Sequence, residues 1–337
     1  MKHSNKEIQE IIQAVSFIES FENQTILITG ATGLIGSAVV ETIKLFNETT
    51  RNPINLVLLV RNIEQAIAKL GESKSIRYIQ GSIESLPSIE ADIDYILHGA
   101  SPTSSRDFIE KPVDVLKAGL LGSFNMLELA KAKQVKKIIF LSSLEVYGTL
   151  QTFEAKETDY GLIDWTAIRS SYIEAKRTSE NMFLSYYSQH GVPSVIARLP
   201  QILTSTFDTD DNRVYAQFIG AVKNNQDIVL KTKGETIRNY CYLTDAVSGL
   251  LTLLSKGENG EVYNIANEET TCSIKEMAEL IIELAKTDSQ LVFDVQEDPT
   301  KLGYLPTIKI KLMSQKLQSL GWRSQVSLEE AFKRMLF

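Results

Sequence analysis

The amino-acid sequence predicts an α/β protein built on a doubly wound parallel sheet, with a smaller mixed lobe toward the C-terminus. Three observations carry that expectation. Short apolar runs alternate with helical stretches from residue 25 to about residue 200, the rhythm of repeated strand–helix–strand units. The first apolar run, Thr25-Ile26-Leu27-Ile28-Thr29, leads through Gly30, Gly33 and Gly36 directly into a helical stretch. After Pro200 the alternation breaks, which marks a change of architecture.

Taken in order, Ile8, Ile11, Ile12, Val15 and Ile18 recur at helical spacing. A helix therefore precedes the first strand, and packing on the sheet edge is its expected role. The helix opening at the glycine turn runs to about Phe46, and residues 47–53 form a polar loop. Residues 56–60 read as a second strand, 63–70 as a helix, 76–79 as a third strand and 93–97 as a fourth, ending at His98-Gly99-Ala100-Ser101. A long helix over about 113–133 leads to a strand at 138–141. The next helix, about 167–190, stops at Gly191-Val192-Pro193, and residues 194–199 form another strand. Residues 201–240 hold one helical piece (214–223) and a polar turn around Gly234. Residues 242–254 and 262–266 read as a helix and a strand returning to the sheet. The expected division is a dinucleotide-binding domain over 1–200 plus about 241–268, and a substrate-binding lobe over about 201–240 and 269–337.

Composition narrows the function classes. A chain of 337 residues with 43% hydrophobic side chains can bury a large core. A net charge of −7 argues against nucleic-acid or anionic-membrane surfaces as partners. Cys241 and Cys272 are the only cysteines and suit a reducing compartment, and three scattered histidines offer no metal site. No run approaches the roughly 20 apolar residues of a membrane span, and Met1-Lys2-His3-Ser4-Asn5-Lys6 opens no apolar signal core. A soluble, cytoplasmic protein is expected.

The glycine turn has a physical reading. Gly30 permits the tight turn, Gly33 lets backbone approach a pyrophosphate, and Gly36 allows close helix–strand packing. The helix N-terminus then presents unpaired N–H groups to the anion. Thr32, Leu34 and Ile35 lie within this Rossmann-type turn. Ser82 and Ile83 after the third strand and Ala100 after the fourth complete the expected cofactor set, with NAD(P) as the cofactor. At the end of the second strand, where a carboxylate for the adenosine ribose is usual, stands Arg61. A guanidinium can pair with a 2′-phosphate, which favours NADP, although an arginine capping a strand at the surface fits the same position.

Tyr172 and Lys176 stand four apart on a helix and share a face. An ammonium near a phenol favours the phenolate, so Lys176 is expected to bring Tyr172 below its reference pKa of about 10. Ser143, ending an apolar strand, can polarise the same substrate oxygen and complete a proton relay. Taken alone, a tyrosine–lysine pair at this spacing also suits an ordinary helix surface.

The combination of GxxGxxG, a serine after a strand and Tyr-x-x-x-Lys resembles the extended short-chain dehydrogenase/reductase family of nucleotide-sugar epimerases, dehydratases and decarboxylases over about residues 24–268. Locally the text is most similar to UDP-glucuronate decarboxylases and neighbouring 4,6-dehydratases, which implies a decarboxylase- or dehydratase-like reaction: Ser143-Leu144-Glu145-Val146-Tyr147-Gly148, with His98-Gly99-Ala100-Ser101-Pro102, Arg169 before Ser170-Ser171-Tyr172, and Asp211-Asn212-Arg213-Val214 shared with the decarboxylases. The resemblance implies Ser143, Glu145, Tyr172 and Lys176 as catalytic, with Lys176 also binding the nicotinamide ribose. It implies Ser101, Arg169, Gln201 and Arg238 as substrate-binding, Arg238 on the nucleotide diphosphate. It further implies a nucleotide-sugar substrate oxidised at C4, and a homodimer built from the 113–133 and 167–190 helices. Departures are equally specific. Leu144 replaces the aspartate acid of the dehydratases. Gln201-Ile202-Leu203-Thr204-Ser205 replaces an Asn-x-x-Gly-Pro segment, Lys231 an aromatic, and Gly119 an asparagine. One carboxyl without its partner suits a decarboxylase-like scheme, in which Glu145 acts after C4 oxidation, or a C5-proton-exchanging epimerase. A 4-epimerase or 4-reductase needs no Glu145, which would then only brace its turn. A non-catalytic cofactor sensor is the reading from another class.

Overall fold

A computed structural model describes residues 3–207, 211, 213–295 and 307–337. In chain order it contains α1 (Asn5–Ala14), β1 (Thr25–Thr29), α2 (Leu34–Asn47), β2 (Asn55–Val60), α3 (Ile63–Leu70), β3 (Ile76–Gln80) and β4 (Tyr95–His98). Then follow α4 (Ser105–Glu110), α5 (Pro112–Lys133), β5 (Lys137–Ser143), β6 (Glu154–Ala155), α6 (Ser170–His190), β7 (Ser194–Leu199) and β8 (Gln201–Leu203). The remainder is α7 (Val214–Lys223), β9 (Ile228–Leu230), β10 (Ile237–Tyr242), α8 (Leu243–Lys256), β11 (Glu261–Asn264), β12 (Asn267–Ser273), α9 (Ile274–Ala285), β13 (Leu291–Phe293), β14 (Lys311–Leu312), α10 (Gln315–Ser319) and α11 (Leu328–Leu336).

Seven parallel strands form the central sheet in the order β11-β7-β5-β4-β1-β2-β3. Both faces are covered, so the inner strands β1, β2, β4, β5 and β7 are mostly apolar and buried, while the edge strands β3 and β11 carry polar residues. Ile26, Ile28, Leu56, Leu58, Ile139 and Val195 pack toward the α2 and α8 side. Leu27, Val57, Ile96, Ile138 and Ile196 pack toward Met126, Leu127 and Phe183 of α5 and α6. Register aligns Thr29 with His98, and Ser143 with Leu199, so the carboxyl ends of β1, β4, β5 and β7 open at one edge. Sites in such sheets lie at that edge, near the strand-order reversal.

The N-terminal helix corrects the expectation. α1 packs on α2 and α8, not on the sheet edge. The reason is α8, whose residues Leu243–Leu254 are all buried, because a helix apolar on nearly every face needs a second layer outside it. Short strands also occur where the sequence reading placed none. β8, β10 and β12 form a second, three-stranded sheet, and β9 pairs with β13 and β6 with β14. A separate apolar cluster lies against it, including Tyr215, Phe218, Ile219, Met277, Ile281 and Phe332 of α7, α9 and α11.

Candidate active site

At the glycine turn, Gly30 has φ +75°, and a side chain there would meet the Gly99 backbone at 2.8–2.9 Å. At Gly36 a Cβ would stand 2.2 Å from the Gly30 carbonyl oxygen, so only glycine lets α2 start this close to β1. Gly33 is the N-cap of α2 and no side chain caps the helix, which leaves the N–H groups near Leu34 and Ile35 to an incoming anion. The turn therefore fits a pyrophosphate. Behind it, the Thr29 hydroxyl accepts from the Ala100 N–H (3.1 Å) and shares a hydrogen bond with His98 Nδ1 (2.8 Å). Full burial and the nearby Lys176 charge pull the His98 pKa down to about 3, so its ring is neutral and can accept from Thr29.

Arg61 is exposed just past β2. Lys69 on α3, unflagged by any motif, donates to the Thr32 carbonyl at 2.7 Å and adds a second cation beside the turn. Ser82 lies past β3 with its hydroxyl on Glu84. The Ile83 side chain is buried against α5, and its carbonyl accepts from Asn125 Nδ2 at 2.8 Å. Asn212, quoted for the resemblance, lies outside the described residues.

α6 brings the relay residues to β5. The Ser143 hydroxyl stands close enough to the Tyr172 phenol to favour its ionised form, and it accepts from the Glu145 N–H at 3.2 Å. Lys176 is buried and donates from Nζ to the Leu141 carbonyl at 2.7 Å, with Nζ 4.7 Å from the Phe140 ring centroid. The expected lowering of the Tyr172 pKa is not what this geometry gives. Burial is the largest influence and raises it, the Glu145 charge raises it further, and Lys176 faces a carbonyl rather than the phenolic oxygen. Burial also pulls the Lys176 pKa down to about 8. Gly119, the departure on α5, lets that helix close on Ala175, and the Ser179 hydroxyl donates to its carbonyl at 3.1 Å.

Glu145 sits in a single turn after β5 and is held by Arg169 through both carboxylate oxygens, at 2.7 and 3.2 Å. The two residues singled out separately are thus one bidentate ion pair. Leu144 is buried with Val146 and Tyr147, so no second carboxyl occupies this turn. Phe108 on α4 was missed because it lies in a polar stretch without a motif. Its ring stacks on Tyr172 at 4.1 Å between centroids and 12° between planes, with the Arg169 guanidinium 5.5 Å from its centroid. Ser101 is half-buried at the end of β4, its hydroxyl donating to the Pro102 carbonyl at 3.2 Å. Gln201 and Arg238 lie on the second sheet, Gln201 in register with Tyr240. Arg238 Nε and the Tyr240 hydroxyl are buried without a hydrogen-bond partner among the described residues. Unpaired buried polar groups are costly, and Tyr240 lies within the apolar cluster of the second sheet.

Comparison with known proteins follows this geometry. The model of the NAD dependent epimerase/dehydratase family matches residues 26–266. UDP-glucuronic acid decarboxylase 6 of Arabidopsis thaliana is 30% identical over 319 residues, covering 93% of this chain and 88% of that protein. Among solved structures, the UDP-glucose 4-epimerase of Thermotoga maritima with UDP-glucose superimposes with a TM-score of 0.76 at 23% identity, covering 93% of this chain and 97% of that one. The dTDP-glucose 4,6-dehydratase of Streptomyces venezuelae, with NAD bound, gives 0.77 at 20% identity, covering 93% and 96%. At these identities the structural likeness establishes the fold.

Proposed function

Because the chain belongs to the NAD dependent epimerase/dehydratase family, we propose that it oxidises a nucleotide sugar at C4 and then acts at C5 as a decarboxylase-like enzyme on a nucleotide uronate. The chain spans 93% of its length in common with a UDP-glucuronic acid decarboxylase, and the Rossmann turn suits a dinucleotide. NAD, when bound, supplies the hydride acceptor. Gly30, Thr32, Gly33, Leu34, Ile35 and Gly36 would hold its pyrophosphate, with Ser82, the Ile83 backbone and Ala100 along the cleft. Arg61, joined by Lys69, is read as favouring the 2′-phosphate of NADP.

Tyr172 takes the proton from the C4 hydroxyl, Ser143 polarises that oxygen, and Lys176 supplies the positive charge that favours the phenolate. This requires Lys176 to leave the Leu141 carbonyl and to reach the ribose and phenol. On the second sheet, Arg238 would bind the diphosphate and Gln201 and Ser101 the nucleotide sugar. We assign residues 1–200 with about 241–268 to the cofactor domain, and about 201–240 with 269–337 to the substrate lobe. Exposed Val113, Leu121 and Phe124 on α5 are read as the cover sought by a homodimer, and a cytoplasmic location accompanies this chemistry.

The observation carrying the decarboxylase-like reading is the Glu145–Arg169 pair 2.7 Å apart beside Tyr172, with Leu144 buried where a second acid would stand. A C4 ketone labilises a C5 carboxylate; Arg169 can orient that carboxylate and Glu145 can manage the later proton. The same pair favours a second reading. A Glu145 fully engaged by Arg169 is a brace, and a 4-epimerase or 4-reductase needs no more than the relay. Glu145→Gln separates them, followed with UDP-glucuronic acid. The first reading expects cofactor reduction to persist while a 4-keto intermediate accumulates; unchanged turnover assigns the second. A cofactor sensor would show no reduction with any nucleotide sugar.

A further inference from the structure

α6 grips β5 at two successive strand residues. Lys176 donates to the Leu141 carbonyl (2.7 Å) and the Ser142 hydroxyl donates to Glu180 Oε1 (2.5 Å), with Ser143, the next strand residue, near the Tyr172 phenol. Tyr172, Lys176 and Glu180 stand four apart, so they form one stripe of the helix facing one strand. The first two belong to the relay; the third is a buried carboxylate that the chemistry above leaves unused. Arg198 on β7 fixes it, donating from Nε at 3.0 Å and from Nη2 at 2.7 Å. The guanidinium is itself held by the Glu157 carbonyl at 3.0 Å and lies 4.7 Å from the Tyr147 ring centroid. Side-chain exposures of 12% for Arg198 and 8% for Glu180 put the pair in a low-dielectric setting, where charge acts more strongly than at the surface.

We propose that Glu180 is a positioning residue for the relay, fixing the register of α6 on β5 and placing a buried carboxylate one helical turn from Lys176. The inference rests on the relay role assigned above to Tyr172 and Lys176. The charges around this spot come from several elements: Tyr172, Glu174 and Arg177 on α6, His98 on β4, Arg198 on β7, Tyr147 after β5, and Glu157 and Asp159 in the segment before α6. Among them Glu180 is the anion that opposes the effect of burial on Lys176. Arg198 holds both oxygens of the carboxylate, so Glu180 is already fixed before substrate binds.

Glu180→Gln tests this, because the amide keeps the size and removes the charge. Carbon NMR of ε-labelled lysines in the cofactor-free protein, with Lys176→Met for assignment, follows the Lys176 titration directly. The expected result is a proton affinity about tenfold weaker at Lys176. NAD binding should stay within about threefold. Cofactor reduction with UDP-glucuronic acid should lose about 10- to 100-fold in kcat with KM within about threefold, and its alkaline limb should move to lower pH. Glu180→Asp should restore the limb. Ser142→Ala removes a tether and no charge, so it should lower kcat severalfold without moving the limb, and it remains decisive if Glu180→Gln does not fold. An unchanged Lys176 titration in Glu180→Gln, or full kcat in Ser142→Ala, overturns the proposal. A parent protein that reduces no cofactor while the titration moves would sink the relay reading and leave the electrostatic role of Glu180 standing.

Discussion

The two sides of the cleft are finished to different degrees. On the cofactor side the backbone closes on itself: Gly30 against Gly99, Gly36 against Gly30, and Thr29 bonded to both His98 and Ala100. On the side of the second sheet, Arg238 Nε and the Tyr240 hydroxyl are buried without partners among the described residues. Between them, Glu145 and Arg169 satisfy one another. The difference teaches where binding energy can be gained. On the proposed function, a dinucleotide would meet a preformed cradle and a nucleotide sugar would meet unpaired groups, so losses on the two sides should differ in kind.

The largest expected effect falls on the relay between the two sides. Tyr172→Phe should cut hydride transfer by about 10²- to 10⁴-fold while NAD affinity, measured by calorimetry, stays near the parent value. Equal losses in both would mean that Phe108 and Tyr172 serve only to shape the cradle. Next comes the unfinished side. Arg238→Ala should raise KM for UDP-glucuronic acid by about 10- to 100-fold with little change in kcat, and Arg238→Lys should recover only part, because the lysine lacks the planar fork. A fall in kcat with KM unchanged would place Arg238 away from the bound nucleotide.

How much of this was legible in the sequence follows the same division. The cofactor side is written locally: glycines at fixed offsets between one strand and one helix, and a tyrosine and lysine one helical turn apart. The second sheet is not, because β10 pairs with β8 and β12, and β9 with β13 more than sixty residues away, through strands of three to seven residues. α1 misled for a related reason, since one of its two supports, α8, lies more than two hundred residues on. The candidate site residues were singled out by motif, whereas their mutual bonds were not visible in the sequence. Nothing in the spacing of Glu145 and Arg169 announces a bidentate pair, and Phe108 has no motif at all. The direction of the Tyr172 pKa was missed because burial outweighs a lysine that faces a carbonyl.

A smaller effect concerns pH. Lys176 carries its charge below about 8 and loses it above, so hydride transfer should decline on the alkaline side once the pH passes roughly that value. A rate that climbs without decline well into the alkaline range would show that the ammonium is dispensable. The smallest effect is expected at the rim of the cradle. Arg61→Ala should weaken NADP severalfold and leave NAD unchanged, and an equal response to both would remove Arg61 from cofactor choice.

The central claim is removal of hydride from C4 of a nucleotide sugar, with Tyr172 accepting the proton. UDP-glucuronic acid deuterated at C4, incubated with the protein and NAD, tests it most directly, with the cofactor recovered and weighed by mass spectrometry. The account expects deuterium in the cofactor with the parent protein and with Glu145→Gln, and none with Tyr172→Phe. Deuterium appearing undiminished with Tyr172→Phe, or absent from the cofactor while sugar product still forms, would contradict it.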